Sequence, residues 1–189
     1  FRGRGRFGPH QPVFAWEIFM LAVALKDRQR GFTYPQTNRR VNRLAHCLQS
    51  LGLEKGDRVA VLMENSIEIV EVYLATAKTG IVIVPINFRL VSSEVEYIAD
   101  NSDAKAFIVH DEFTSTLDPI RPGLKNIAAD NYIVVGQAVE GYRPYEEFIE
   151  SAADGEPETE VAHAATCILI YTSGTTGKPK GVVRSHESH

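Results

Sequence analysis

The sequence predicts an α/β protein: a mainly parallel sheet flanked by helices. Three observations carry that expectation. Val41, Leu44, Ala45, Leu48 and Leu51 recur at the 3, 4 and 7 spacing of one helical face. Ile81–Ile86 is a continuous apolar run rich in β-branched residues, as a strand buried on both faces requires. Strand-like segments at Val59–Met63, Ile81–Ile86, Lys105–Val109 and Tyr132–Val135 alternate with helical patterns, the signature of β-α-β units.

Each element has a local reason. Ala22–Leu25 and Phe32–Tyr34 are short apolar runs joined by the polar, Gly-ended segment Lys26–Gly31, a hairpin pattern. Thr33 and Pro35 supply a cap and a first-turn proline for the following helix, and Gly52 closes it in a left-handed conformation. Lys55-Gly56-Asp57 turns the chain into the strand Val59–Met63. Asn65 with Glu68 predicts a capping box for a helix through Thr79, with Ile67, Val70, Leu74 and Ala77 on its buried face and Gly80 at its end. Ser93 with Glu96 predicts another, opening a helix that ends near Asn101. Cys167–Tyr171 and Val182-Val183 read as two further strands joined by a loop.

The expected organisation has four parts. Residues 1–21 form a basic arm and a helical segment, and residues 22–139 an α/β subdomain. Residues 140–160 are an acidic connector with only Tyr145–Ile149 fit for helix, read as a solvated surface segment. Residues 161–189 begin a second sheet.

Composition narrows the function. With 189 residues, 44% of them hydrophobic and 23% charged, the chain can bury a core, and global disorder is excluded. Net charge is −4, but nine of the 20 basic residues fall within the first 43 positions, against Glu17 and Asp27 alone. Positive charge confined to an arm and part of one helix is not the basic face of a nucleic-acid-binding domain. The Arg/Gly stretch Phe1–Gly8 suits contact with RNA or an anionic membrane surface, while a solvated arm is the simpler reading. Val13–Leu25, at thirteen residues with Glu17 inside, is too short to span a bilayer, which takes about 20. Ala22-Val23-Ala24 imitates a signal-cleavage site, but Glu17 interrupts the apolar run and Ala22–Leu25 fits a strand. Cys47 and Cys167 lie in helical and strand patterns and read as small buried hydrophobes in a reducing, cytoplasmic setting.

The chemistry concentrates in Tyr171-Thr172-Ser173-Gly174-Thr175-Thr176-Gly177-Lys178-Pro179-Lys180-Gly181. Glycines let backbone N–H groups converge on one point, hydroxyls donate further hydrogen bonds, and lysine brings a compact positive charge. This is the make-up of a phosphate cradle. A Walker loop is excluded, because Thr172 stands where glycine is required and Pro179 where Ser or Thr should follow the lysine. Ser173 lacks the Gly-x-Ser-x-Gly elbow of a hydrolase nucleophile. His186, near the end of the chain, reads as a residue opening the next helix.

The run YTSGTTGKPKG resembles the phosphate-binding signature of adenylate-forming enzymes, the family of acyl- and aryl-CoA synthetases, luciferase and peptide adenylation domains. The resemblance extends upstream through Phe32-Thr33-Tyr34, Asn42–Ala45, Leu53–Ala60, Asn65-Ser66 and Gly80–Leu90, and spans residues 20–186. Pro85–Leu90 is more similar to the acyl-CoA synthetase branch. The resemblance implies activation of a fatty or aryl carboxylic acid by ATP and Mg²⁺ to an acyl adenylate, then transfer to coenzyme A. It assigns Thr172, Ser173, Gly174, Thr175, Thr176, Gly177 and Lys178 to the β- and γ-phosphates, with Thr172 also at Mg²⁺. The family's second nucleotide motif, its metal-binding Glu, ribose-binding Asp and C-terminal lysine have no counterpart here. The expectation is therefore an N-terminal fragment, truncated within the large domain, without catalytic residues of its own and inactive alone. The alternative is a non-catalytic binding or dimerisation module that keeps the fold; contact of the arm with a membrane surface and a homodimer remain open.

Overall fold

The computed structural model describes residues 20–172 and 179–188. The arm at residues 1–19 lies outside them. The chain is α/β, as the alternating pattern requires. A short antiparallel hairpin, β1 (Val23–Lys26) with β2 (Gly31–Thr33), precedes a seven-stranded sheet. That sheet holds β3 (Arg58–Leu62), β4 (Val82–Ile86), β5 (Ala104–His110), β6 (Tyr132–Val135), β7 (Arg143–Pro144), β8 (Thr166–Thr172) and β9 (Lys180–Ser185), in the order β7-β6-β5-β3-β4-β8-β9. All neighbours are parallel except β8 and β9.

Successive residues of a strand point to opposite faces, so each central strand feeds two cores. Val59, Val61, Ile83, Ile108 and Ile133 pack beneath α1 (Tyr34–Ser50), α2 (Ile67–Thr79) and α5 (Tyr145–Glu150). Ala60, Leu62, Val84, Phe107 and Val134 pack beneath α3 (Ser92–Asn101) and α4 (Thr114–Leu117). Leu44, Phe107 and Ile108 are wholly inaccessible. Each such side chain contributes about 1.5–3 kcal/mol through burial. Among the described residues no helix is long and apolar enough to cross a membrane.

Helix α1 begins as its sequence dictates. The Thr33 hydroxyl accepts from the Gln36 amide (3.5 Å), and the Gln36 side chain accepts from the Thr33 amide (2.8 Å), with Pro35 in the first turn. Two other starts differ from expectation. Ser66, not Asn65, caps α2, its hydroxyl accepting from the Ile69 amide at 3.2 Å. At α3 the reciprocal bond comes from Glu94, which accepts from the Val91 amide at 3.1 Å, so the helix starts at Ser92 rather than being capped by Ser93 with Glu96.

The buried face of α2 is also not the apolar stripe. Of that stripe Ile67 is buried and Val70 and Ala77 are half-buried, but Glu68, Glu71, Val72, Ala75, Thr76 and Thr79 face inward as well, while Leu74 is exposed. The reason is electrostatic. Arg40 of α1 donates two hydrogen bonds to the buried Glu71 carboxylate and two to Glu146, and the Tyr145 hydroxyl donates to Glu71 at 2.8 Å. Arg30, at the hairpin turn, pairs with Glu68 at 2.7 Å. Burial pushes the Glu71 carboxyl up, and the bonds from Arg40 and Tyr145 oppose that. Breaking such a pair strands a buried charge, which costs far more than the pair contributes.

Two further expectations are corrected. The acidic segment is a solvated connector only in part: residues 151–160 are exposed or half-buried, but the helix expected at Tyr145–Ile149 forms as α5 with Tyr145, Phe148 and Ile149 buried, and β7 pairs with β6. Beyond α5, Asn42 donates to the Asp154 carbonyl at 2.9 Å, and Lys78 bridges Asn38, Asn42 and Glu156 at 2.7–2.8 Å. Nor do β8 and β9 begin a second sheet. β8 lies parallel beside β4, with Ile168 opposite Ile83, and extends the same sheet.

Glu156 gives the tether a pH signature. Lys78, with Asn38 and Asn42, lowers its pKa from 4.5 to about 2 against the opposing pull of desolvation. A depressed carboxylate stabilises the folded chain above its unfolded value and loses that contribution as pH falls from about 4.5 towards 2. The side chain is 64% exposed, so solvent screening holds the contribution to about 0.5–1 kcal/mol. Urea titrations of Glu156→Gln against the parent chain should show that gap at pH 7, shrinking as pH falls below about 4.5 and gone only once pH drops below about 2.

Candidate nucleotide-phosphate site

Because β8 runs parallel to β4, it ends on the same edge of the sheet as β3, β4, β5 and β6. Loops at the carboxyl ends of parallel strands are where open α/β sheets take ligands. Thr172, the last residue of β8, sits at that edge opposite Lys180 of β9, and is exposed. Of the residues assigned to phosphate, Thr172 alone is described. Ser173, Gly174, Thr175, Thr176, Gly177 and Lys178 lie outside the described residues. What the structure defines is the pair of stems, Tyr171-Thr172 and Pro179-Lys180, from which that loop springs.

The stems are antiparallel strands, with the register Leu169↔Val183, Ile170↔Val182, Tyr171↔Gly181 and Thr172↔Lys180. Gly181 matters here for space, not for backbone freedom. A Cβ on it would lie 3.0 Å from Leu169 Cδ1 and 3.4 Å from the Tyr171 ring. Without one, the Tyr171 ring lies against Gly181 and packs with Leu169 against the core beneath α3. Its hydroxyl then donates to Asn101 Oδ1 at 2.8 Å. One turn earlier on the same helix, the Tyr97 hydroxyl donates to the Pro179 carbonyl at 3.3 Å. Tyr97 and Asn101 are spaced i and i+4, so one face of α3 reaches both stems. Sequence reasoning passed over both. Their spacing was visible, but a helix contacting a strand some 70 residues later leaves no local trace.

A second polar concavity, about 660 Å³, lies at the same edge beneath the hairpin turn, lined by Arg30, Ser66, Glu68, His110, Tyr145 and Glu146 among others. Its Arg30 is committed to Asp27 (3.0 Å) and Glu68 (2.7 Å), and with Glu146 and Glu147 the lining is net acidic, which disfavours a phosphate. Among the described residues no group of three His, Cys, Asp or Glu is placed to hold a metal. Both cysteines are free and buried, and desolvation pushes the Cys47 thiol up to about 11, which makes it a small core residue rather than a nucleophile. His186 opens a 3₁₀ turn, His186–Ser188, not an α-helix, its amide donating to the Ala165 carbonyl at 3.1 Å.

The family described as AMP-binding enzyme matches residues 15–189. The chain belongs to that family. Among curated relatives, the long-chain-fatty-acid–CoA ligase FadD13 of Mycobacterium tuberculosis is 42% identical over 156 residues, covering 82% of this chain and 30% of the relative. The fatty acid–[acyl-carrier-protein] ligase ScoC of Streptomyces coeruleorubidus is 36% identical over 160 residues, covering 84% and 29%. Among solved structures, the anthranilate–CoA ligase AuaEII in complex with anthranoyl-AMP superposes with a TM-score of 0.85 at 30% identity, covering 90% of this chain and 33% of that one. A Mycobacterium tuberculosis fatty acyl-CoA synthetase gives 0.72 at 37% identity, covering 84% and 30%. The chain thus spans about a third of the length of the ligases it matches.

The space beside Gly181 can be tested directly. Gly181→Val should destabilise the chain by about 1–3 kcal/mol, because a branched side chain must displace the Tyr171 ring or Leu169. Gly181→Ala should cost less, since the Leu169 terminus can yield. Urea denaturation of the two variants checks the order.

Proposed function

We propose that this chain is the phosphate-holding part of an acid–CoA ligase that works through an acyl adenylate. ATP and a carboxylic acid give acyl-AMP and pyrophosphate, and the thiol of coenzyme A then displaces AMP. The observation that supports this most is the run Thr172–Lys178, carried between β8 and β9 at the carboxyl edge of the sheet in a member of the AMP-binding family. Its glycine amides, hydroxyls and the Lys178 ammonium hold the β- and γ-phosphates and stabilise the charge that develops as pyrophosphate leaves.

Magnesium prefers oxygen donors and keeps much of its shell as water and phosphate. The exposed hydroxyl of Thr172 suits one such position, and a bound ion there would supply charge neutralisation for the phosphates. The acid is a fatty or aryl one. Relatives named for long-chain fatty acids support the first and the AuaEII complex the second, and their names favour coenzyme A as acceptor over a carrier protein. The ligase that this chain belongs to acts in the cytoplasm. Because the chain spans about a third of those relatives, it binds nucleotide phosphate without completing the reaction.

Calorimetric titration with Mg-pyrophosphate should show binding that Lys178→Ala weakens about tenfold or more, the worth of a charge-assisted bond. The chain alone should give no fatty-acid-dependent ATP–pyrophosphate exchange; exchange above background would overturn its assignment as an incomplete catalyst.

A further inference from the structure

We infer that α3 is a strut for the phosphate loop, with Tyr97 and Asn101 as positioning residues. Three observations converge on this role. First, the two side chains lie one turn apart on the same helical face and reach opposite stems. Tyr97 bonds to the Pro179 carbonyl just before β9, and Asn101 accepts from Tyr171 just before the end of β8. Second, the Tyr171 ring lies against Gly181, its partner across the β8–β9 pair, where a Cβ would stand 3.0–3.4 Å from Leu169 and the ring. Third, the helix itself cannot drift. Val95, Ile98 and Ala99 are buried against the sheet, and the start is held by the Glu94 bond to the Val91 amide.

A loop that stabilises a leaving group must present its donors at a fixed separation, because misplacement by about an ångström forfeits much of the advantage of preorganisation. Strand pairing alone fixes the distance between the stems. It does not stop the two-stranded end of the sheet, which has no further strand beyond β9 among the described residues, from twisting as a unit. Anchoring both stems to one rigid helix removes that freedom. Tyr97 and Asn101 act through the strands rather than on the ligand.

This inference rests on the phosphate-loop reading, and two measurements separate them. Hydrogen exchange of the ligand-free chain reports the strut alone. Tyr97→Phe and Asn101→Leu should raise exchange at the amides of residues 171–172 and 180–182 about three- to tenfold while the β3 and β5 amides and the urea midpoint stay put, and Asn101→Asp, which keeps the acceptor for Tyr171, should restore protection. Titration with Mg-pyrophosphate reports the coupling to function. Both disruptive variants should weaken binding about three- to tenfold, and Asn101→Asp should bind like the parent. Unchanged stem exchange in Tyr97→Phe and Asn101→Leu overturns the strut, as does exchange that rises uniformly with loss of global stability. Parental pyrophosphate affinity in both variants likewise overturns it. Absence of pyrophosphate binding by the parent chain defeats the phosphate reading instead, and the exchange data then decide the strut by themselves.

Discussion

Val59 and Val61 face one hydrophobic layer while Ala60 and Leu62 face the other, and the remaining architecture follows from having to cover both. A parallel strand cannot be joined to its neighbour by a tight turn, so every connection must cross over a face of the sheet. Those crossovers carry the covering helices α2 and α5 on one side and α3 and α4 on the other, while α1, entering from the hairpin, completes the cover beside α2. The same rule sends each strand's exit to one edge. The stems of the candidate phosphate loop meet there because β8 obeys the parallel rule and β9, returning antiparallel, does not need a crossover.

The helical faces show where sequence is a sufficient guide. On α1 the apolar spacing and the Thr33 cap point to the same answer, and Val41, Leu44, Ala45 and Leu48 are all buried. On α2 the count of apolar residues misleads. Glu68 and Glu71 go inward because Arg30 and Arg40 meet them from the hairpin and from α1, and Leu74 is left outside. A carboxylate looks like a surface residue until its cation is located, and here that cation is 31 or more positions away. The acidic segment follows the same logic: Glu156 becomes an anchor only once Lys78, Asn38 and Asn42 are brought together.

The candidate site was legible to a different degree. A run of glycines, hydroxyls and lysine declares its chemistry without any fold, because its function depends on residue types placed next to one another. What supports the run was hidden. Neither the seat of β8 beside β4 nor the reach of Tyr97 and Asn101 to the stems has a short-range signature, since each joins segments some 70 to 85 residues apart. Motifs are read locally, and their foundations are not.

The pairing of Ile83 with Ile168 also has a consequence in time. The β8–β9 ribbon is a local structure, and hairpins of that kind form within about 1–10 μs. Its place in the sheet requires closing the whole stretch between β4 and β8, and long-range parallel pairing is the slow part of folding. The ligand-bearing ribbon therefore takes shape before it has anywhere to sit. Until α3 and β4 receive it, Ile168, Leu169 and Tyr171 of β8 have no core to pack against, and the ribbon passes through a stage at which its apolar face is open to association.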